Sequence, residues 1–290
     1  MIPQSKLVLI NPVTKAPAFQ LSSIEDCASF AGVKRCAYYT LILVTQGSGM
    51  IHCGVTSSSF TAGSLLCISL YEPFRIESES FKGSAVEFHP EFFCIYKHEQ
   101  EIACNGVLFN SIYQSPVVAL SGEETEWFVR QTETLWNETR SAALSQYEML
   151  TAHLKVFLIT AVRIKTAQQQ PDLPSEKAPF ILQTLKDAIE ENYRSKRSAS
   201  EYAELLHIST KALNRISKKH LDKTLSDLIA ERIVIEAKRE LYITIKPVKQ
   251  IAYELGFNDE FYFSRFFKQN VSVSPQTYRN TIGFAKGEAS

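Results

Sequence analysis

The stretch from Pro247 to Arg279, PVKQIAYELGFNDEFYFSRFFKQNVSVSPQTYR, constrains this chain more than any other. Val248, Ile251, Ala252 and Leu255 form a helical stripe, opened by Pro247 at a position where a missing N–H costs nothing. Gly256 predicts the end of that helix, Phe257 turns inward, and Asn258 is placed to cap a second helix. The second helix sets Phe263 and Phe267 four apart on one face, with Arg265 and Lys268 on others. Two short helices joined by a tight glycine turn, the second one basic, describe a helix-turn-helix. An ordinary helical hairpin with solvated lysines and arginines fits the same spacing, and the basic second helix favours the first reading.

Upstream, the pattern repeats in part. Ser198-Ala199-Ser200-Glu201 reads as a capping box opening a helix with Tyr202, Ala203, Leu205 and Leu206. Ser209 caps another, Thr210–Leu221, with Leu213 and Ile216 inward and Lys211, Asn214, Arg215, Lys218 and Lys219 outward. A long helix over Thr224–Ile243 then leads to Pro247. Before these, Pro179–Tyr193 is amphipathic, with Ile181, Leu182, Leu185, Ile189 and Tyr193 on one face.

The first 116 residues have a different period. Tyr38–Thr45 is β-branched and aromatic and ends at a predicted turn, Gln46-Gly47-Ser48-Gly49. Met50–Val55, Ser64–Leu70 and Ser84–His89 follow as short strands between turn signals, the pattern of a β-barrel or sandwich. From Ser121 the period becomes helical, with one helix reaching about Arg140. A second runs from about Ala143 to Thr166, carrying Leu144, Tyr147, Leu150, Leu154, Phe157, Ala161 and Ile164 at three- and four-residue steps. That stripe fits packing on the sheet or on the same helix of a second subunit. Gln168 to Ser175, polar with two prolines, reads as a linker.

Charge balances over the chain, Lys+Arg 31 against Asp+Glu 31, and splits into 12 basic and 15 acidic residues through Gln170, then 19 and 16. Placement of charge, not its total, must therefore carry any nucleic-acid argument. All six cysteines lie within the first 104 residues, none in a C-x-x-C pair, which predicts small buried thiols in a reducing cytoplasm. No apolar run approaches membrane-spanning length, and no signal-peptide pattern opens the chain. His52 has no second histidine nearby, so no metal site and no catalytic residues are expected.

The string IAYELGFNDEFYFSRFFK, followed by SPQTYR, resembles the signature of the AraC/XylS family of bacterial transcriptional regulators. The matching positions are Ile251, Ala252, Gly256, Phe257, Asp259, Tyr262, Phe263, Ser264, Arg265, Phe267, Lys268, Ser274, Pro275, Tyr278 and Arg279. Ser272 and Asp222 stand where the family usually has glycine. The resemblance covers about Pro179 to Arg279 closely, and the N-terminal half only in outline. It implies an α+β chain of two domains: a cupin-like β-barrel with helices at 1–167, a linker at 168–178, and an all-α DNA-binding domain at 179–290. The two helix-turn-helix units fall at 198–221 and 247–269, set to reach successive major grooves about 34 Å apart.

Each outward side chain then has a job its chemistry allows. Arg215 and Arg265 can bond guanine edges, Asn214 can read adenine, Glu260 can accept from cytosine, and Phe261 can touch a thymine methyl. Lys211 lies where groove insertion is deepest; Lys218, Lys219 and Lys268 meet phosphates, as Tyr262 and Ser264 can. The resemblance also implies promoter DNA and RNA polymerase as partners, a homodimer, an activating role more often than a repressing one, and a small-molecule effector in the barrel. Candidate effector contacts are Phe19, Tyr38 and Arg75, each of which also fits a plain structural role. Two alternatives stay open: a ligand-independent regulator whose barrel dimerises or binds a partner protein, and a cupin-like enzyme with a DNA-binding tail.

Overall fold

A computed structural model of the chain describes residues 6–282 apart from 12–14, 26–29, 31, 54–55, 97, 103, 105, 111–113, 142 and 169–176, and the side chains of 99–100, 177–180 and 183. It forms two compact units, Met1–Gln170 and Pro171–Ser290. Most of the expected linker lies outside the described residues.

The first unit is an antiparallel sheet of β1 (Lys6–Ile10), β2 (Pro17–Ile24), β3 (Tyr39–Cys53), β4 (Thr56–Thr61), β5 (Ser64–Ile68), β6 (Phe74–Glu77), β7 (Phe81–Phe88) and β8 (Val117–Ala119). The hydrogen-bonded order is β1-β2-β7-β3-β5-β8, with β4 and β6 on the far half of β3. Among the described residues the expected barrel is an eight-stranded sheet whose ladder does not close, with β1 and β8 at the ends of that order. β3 carries the fold. The glycines at 47 and 49 do not end it in a turn; the register shifts between Val44 and Gln46, and the same strand continues into a second layer. A Cβ on Gly47 would meet the Ser80 carbonyl at 2.2 Å, and one on Gly49 the Glu77 carbonyl at 2.5 Å. These glycines are there to let the β6–β7 turn cross close to the bend.

Because side chains alternate, each face of the sheet has its own core. Ile24, Ile42, Val44, Ile51, Phe60, Leu66, Phe74, Ile76 and Phe81 fill the inside of the bend, with Phe30 packed against them. On the other face Phe19, Leu21, Leu41, Leu43 and Phe88 are buried. Beyond α1 (Glu99–Ile102), the helices α2 (Gly122–Ser141) and α3 (Gln146–Gln168) pack on this unit, α2 against β1 and β3, α3 against β8. Leu144, expected on the helical stripe, precedes α3 and is 96% exposed. β1, β2 and β6 give no sequence signal strong enough to be expected. Cys53, Cys67, Cys94 and Cys104 are buried and Cys36 half-buried.

The second unit is all helical: α4 (Lys177–Asn192), α5 (Ala199–Leu205), α6 (Thr210–Leu221), α7 (Leu225–Ile243), α8 (Val248–Glu254), α9 (Glu260–Val271) and α10 (Pro275–Ile282). α7 touches α4, α6, α8, α9 and α10, so one 19-residue helix supports both helix pairs. Its Glu236, with a side chain only 8% exposed, accepts from Arg194, Arg232 and Arg239 at 3.2–3.3 Å. No helix among the described residues is long and apolar enough to cross a membrane.

Candidate nucleic-acid interface

The second unit contains an internal repeat that is finer than the sequence suggests. Ser209 caps α6 and Asp259 caps α9, fifty positions apart, and both helices run twelve residues to a left-handed C-cap, Asp222 (φ 55°) and Ser272 (φ 70°). Serine in the glycine position therefore keeps the turn. The cap of α9 is Asp259, whose carboxylate accepts the Tyr262 N–H at 2.8 Å, and not the neighbouring Asn258. The second turn is one residue longer than the first, which moves the cap along by one.

Inside each turn the backbone repeats as well. Ile208 N–H donates to the Ala203 carbonyl and Phe257 N–H to the Ala252 carbonyl, both at 2.9 Å. The residue before each is left-handed: His207 at φ 54°, Gly256 at φ 77°. The fourth and eighth positions of each basic helix are buried, Leu213 and Ser217 in α6, Phe263 and Phe267 in α9. The sixth and ninth are exposed in both: Arg215 and Lys218, Arg265 and Lys268. The geometry thus gives two helices that display an arginine and a lysine in the same places.

Other expected contacts divide. Lys211, Lys219, Phe261 and Tyr262 are exposed, Phe261 to 77%. Glu260 and Ser264 are half-buried at the same surface. Asn214 is not presented: its side-chain oxygen accepts the Leu225 N–H at 3.0 Å, capping α7. In the second copy that place is taken by Pro275, which has no N–H, so Ser264 at the matching position has no such duty. Leu205, on the helix opened by the capping box, is 43% exposed.

No local pattern in the sequence singles out Arg197, which stands just before the Ser198 cap. It donates to the Leu255 carbonyl and stacks on Phe257, joining the start of the first helix pair to the turn of the second. Beside it the capping box of α5 is complete: the Glu201 carboxylate accepts from the Ser198 hydroxyl at 2.7 Å and from the N–H groups of Ser198 and Arg197 at 2.8 and 3.0 Å. Those bonds, the Ser198 hydroxyl first, pull its pKa down to about 2.

A family described as a helix-turn-helix domain matches residues 202–281, the span of both helix pairs. The activator RhaS of Mannheimia succiniciproducens is 31% identical over 91 residues, 31% of this chain and 34% of RhaS. The regulatory protein SoxS of Salmonella typhimurium is 29% identical over 102 residues, 35% of this chain and 95% of SoxS. The C-terminal domain of the response regulator yesN from Fusobacterium nucleatum, a solved structure, is 30% identical; the match covers 33% of this chain and 95% of that one, with a TM-score of 0.32.

The second unit is an AraC-type helix-turn-helix domain.

The chain spans about a third to just over half the length of the first curated relatives it matches. Within the AraC-type domain, α6 and α9 are the two candidate recognition helices and α7 the helix that links the copies. Arg279 completes the frame, its Nε donating to the Leu241 carbonyl at 3.3 Å and tying α10 to the end of α7.

The three candidate effector contacts in the first unit do not converge. Phe19 is fully buried against Phe92, with ring centroids 5.0 Å apart. The Tyr38 hydroxyl donates to the Pro17 carbonyl at 3.1 Å. Arg75 lies on the outer face of the bend, 2.7 Å from the Glu77 carboxylate, which also meets His52 at 3.1 Å.

Proposed function

We propose that this chain is a sequence-specific, DNA-binding transcription regulator, cytoplasmic and without catalytic activity, that works as an activator through contact with RNA polymerase. The matched display of Arg215 with Lys218 and Arg265 with Lys268, on helices that repeat at fifty residues, carries this reading. Arginine bonds guanine O6 and N7 bidentately, and lysine beyond it meets phosphate. One long helix under both copies holds the pair at a fixed spacing, as recognition of two boxes on one DNA face requires. That the relative RhaS is an activator supports the sign of regulation.

In this reading the first unit supplies the regulatory input, a small molecule whose unequal affinity for two arrangements shifts DNA occupancy. It also dimerises: Met149 and Val156 on α3 are 45% and 47% exposed, on the side turned away from buried Leu150, Leu154 and Phe157. A second reading, a first unit that only dimerises, is favoured by the phenylalanines that fill the bend of the sheet.

Selection of genomic DNA fragments on the purified chain tests the proposal, run beside an Arg215→Ala/Arg265→Ala double variant. The expected outcome is a shared site of two short boxes one helical turn apart, enriched by the wild type and lost in the variant. Equal enrichment by both proteins would remove the recognition assignment.

A further inference from the structure

At one end of the inner face of the sheet, three polar side chains stand in a row. The strand registers set Gln20 opposite Glu87, and Glu87 opposite Thr40, so the row crosses β2, β7 and β3. Two residues further along each strand come Ser22, Ala85 and Ile42, leading into the apolar interior of Ile24, Val44, Phe74 and Phe81. Gln20 is 6% exposed and Thr40 2%. The Thr40 hydroxyl has no hydrogen-bond partner among the described residues. Glu87 is mostly buried, and burial pushes its carboxyl pKa up. Lys6 and Lys34 act on it in the other direction, through charge alone and without a hydrogen bond. The Gln20 side chain also lies beside the Tyr38 hydroxyl.

Sheet stability does not call for such a row. Valine at 40 would hold the strand at least as well and leave no hydroxyl unsatisfied. A buried polar group without a partner costs free energy, and such groups mark the places where a bound molecule completes the bonding.

We propose that Gln20, Glu87 and Thr40 form a binding site for a small neutral molecule bearing hydroxyl or amide groups. This rests on the reading of the first unit as the sensor. The chemistry narrows the class. The Glu87 carboxyl disfavours an anion, and the positive charges of Lys6 and Lys34 disfavour a cation. The described residues hold no group of three ligands that would fix a metal ion. Thr40 and Gln20 can each donate and accept, while Glu87 accepts. Adjacent strands lie about 4.8 Å apart, so a molecule with two such groups at about that separation bridges neighbouring members of the row.

Thermal unfolding of the full chain tests the site, with xylose, mannitol and nicotinamide as neutral probes, palmitoleate as an anion and putrescine as a cation. A neutral probe is expected to raise the Tm of the wild type, and the rise is lost in Thr40→Val and Glu87→Leu. Without any probe, Thr40→Val is expected to melt about 2–4 °C higher than the wild type, since it removes an unsatisfied group of roughly 1 kcal/mol. The proposal is overturned if Thr40→Val melts lower, if only palmitoleate or putrescine shifts the wild type, or if no neutral probe does. DNA selection by the wild type reports separately: its failure alongside an intact probe response would sink the regulator reading and leave this site standing.

Discussion

The Arg197 guanidinium sits 3.5 Å from the centroid of the Phe257 ring and donates a hydrogen bond to the Leu255 carbonyl. One side chain thereby joins the segment before α5 to the turn between α8 and α9. Stacked cations contribute about 0.5–2 kcal/mol, and the freed carbonyl adds a cost of about 1 kcal/mol more. Arg197→Ala should lower the calorimetric stability of the helical unit by that sum. It should also weaken binding to a two-box DNA more than to a single box, because it loosens the relation between the copies. Arg197→Lys keeps the charge but not the planar fork, and should recover less than half. Equal losses on one-box and two-box DNA would refute the coupling.

The two copies make opposite predictions at their left-handed turns. A Cβ on Gly256 would fall 1.9 Å from the Arg194 carbonyl, and its φ of +77° already disfavours a side chain. Gly256→Ala should cost more than about 2 kcal/mol, from the strained conformation and the overlap together. His207 holds the same conformation with a side chain that points outward. His207→Gly should be within about 1 kcal/mol of neutral, strain relief offsetting chain entropy. Urea unfolding of the two variants decides it.

How much of this was legible before the fold follows from where each signal lives. The second helix pair was readable because its caps, glycine and apolar spacing are local. The cap itself shifted from Asn258 to Asp259, since two adjacent capping residues compete and only the added turn residue chooses between them. Asn214 looked like a base reader from its place on the helix. Its partner, the Leu225 N–H, lies eleven residues on and becomes its neighbour only when α7 packs. In the sheet, Gly47 and Gly49 carry a turn signal that the strand overrides, because what they permit is a close crossing by residues some thirty positions away. The row of Gln20, Thr40 and Glu87 depends on pairing across three strands and no local pattern announces it.

The capping box of α5 gives a pH dependence. Glu201 is held at about 2, below the ordinary carboxylate value of 4.5, by the Ser198 hydroxyl and the N–H groups of Ser198 and Arg197. Its contribution is therefore fully present above pH 4.5. It is lost as pH falls toward about 2, because the unfolded chain takes up the proton first. The difference in Tm between wild type and Glu201→Gln should be constant from pH 7 to 5 and narrow below 4.5. A gap that stays constant down to pH 3 would remove the carboxylate from the cap.

Asn214, Arg215 and Arg265 separate folding from recognition. Asn214→Ala strips the cap from the Leu225 N–H and should lower stability by about 1 kcal/mol, with DNA affinity unchanged well below the melting temperature. Arg215→Ala and Arg265→Ala should leave the Tm in place and each weaken specific binding by about 1–3 kcal/mol at fixed salt, relaxing the preference for one base. Lys218→Ala and Lys268→Ala should instead weaken binding to every sequence alike and reduce the salt slope by about 0.9 each. Titrations at two salt concentrations, on the selected site and on a scrambled one, distinguish the classes. If Asn214→Ala loses base preference while keeping its Tm, the side chain swings out to the DNA and the cap on α7 is not what holds it.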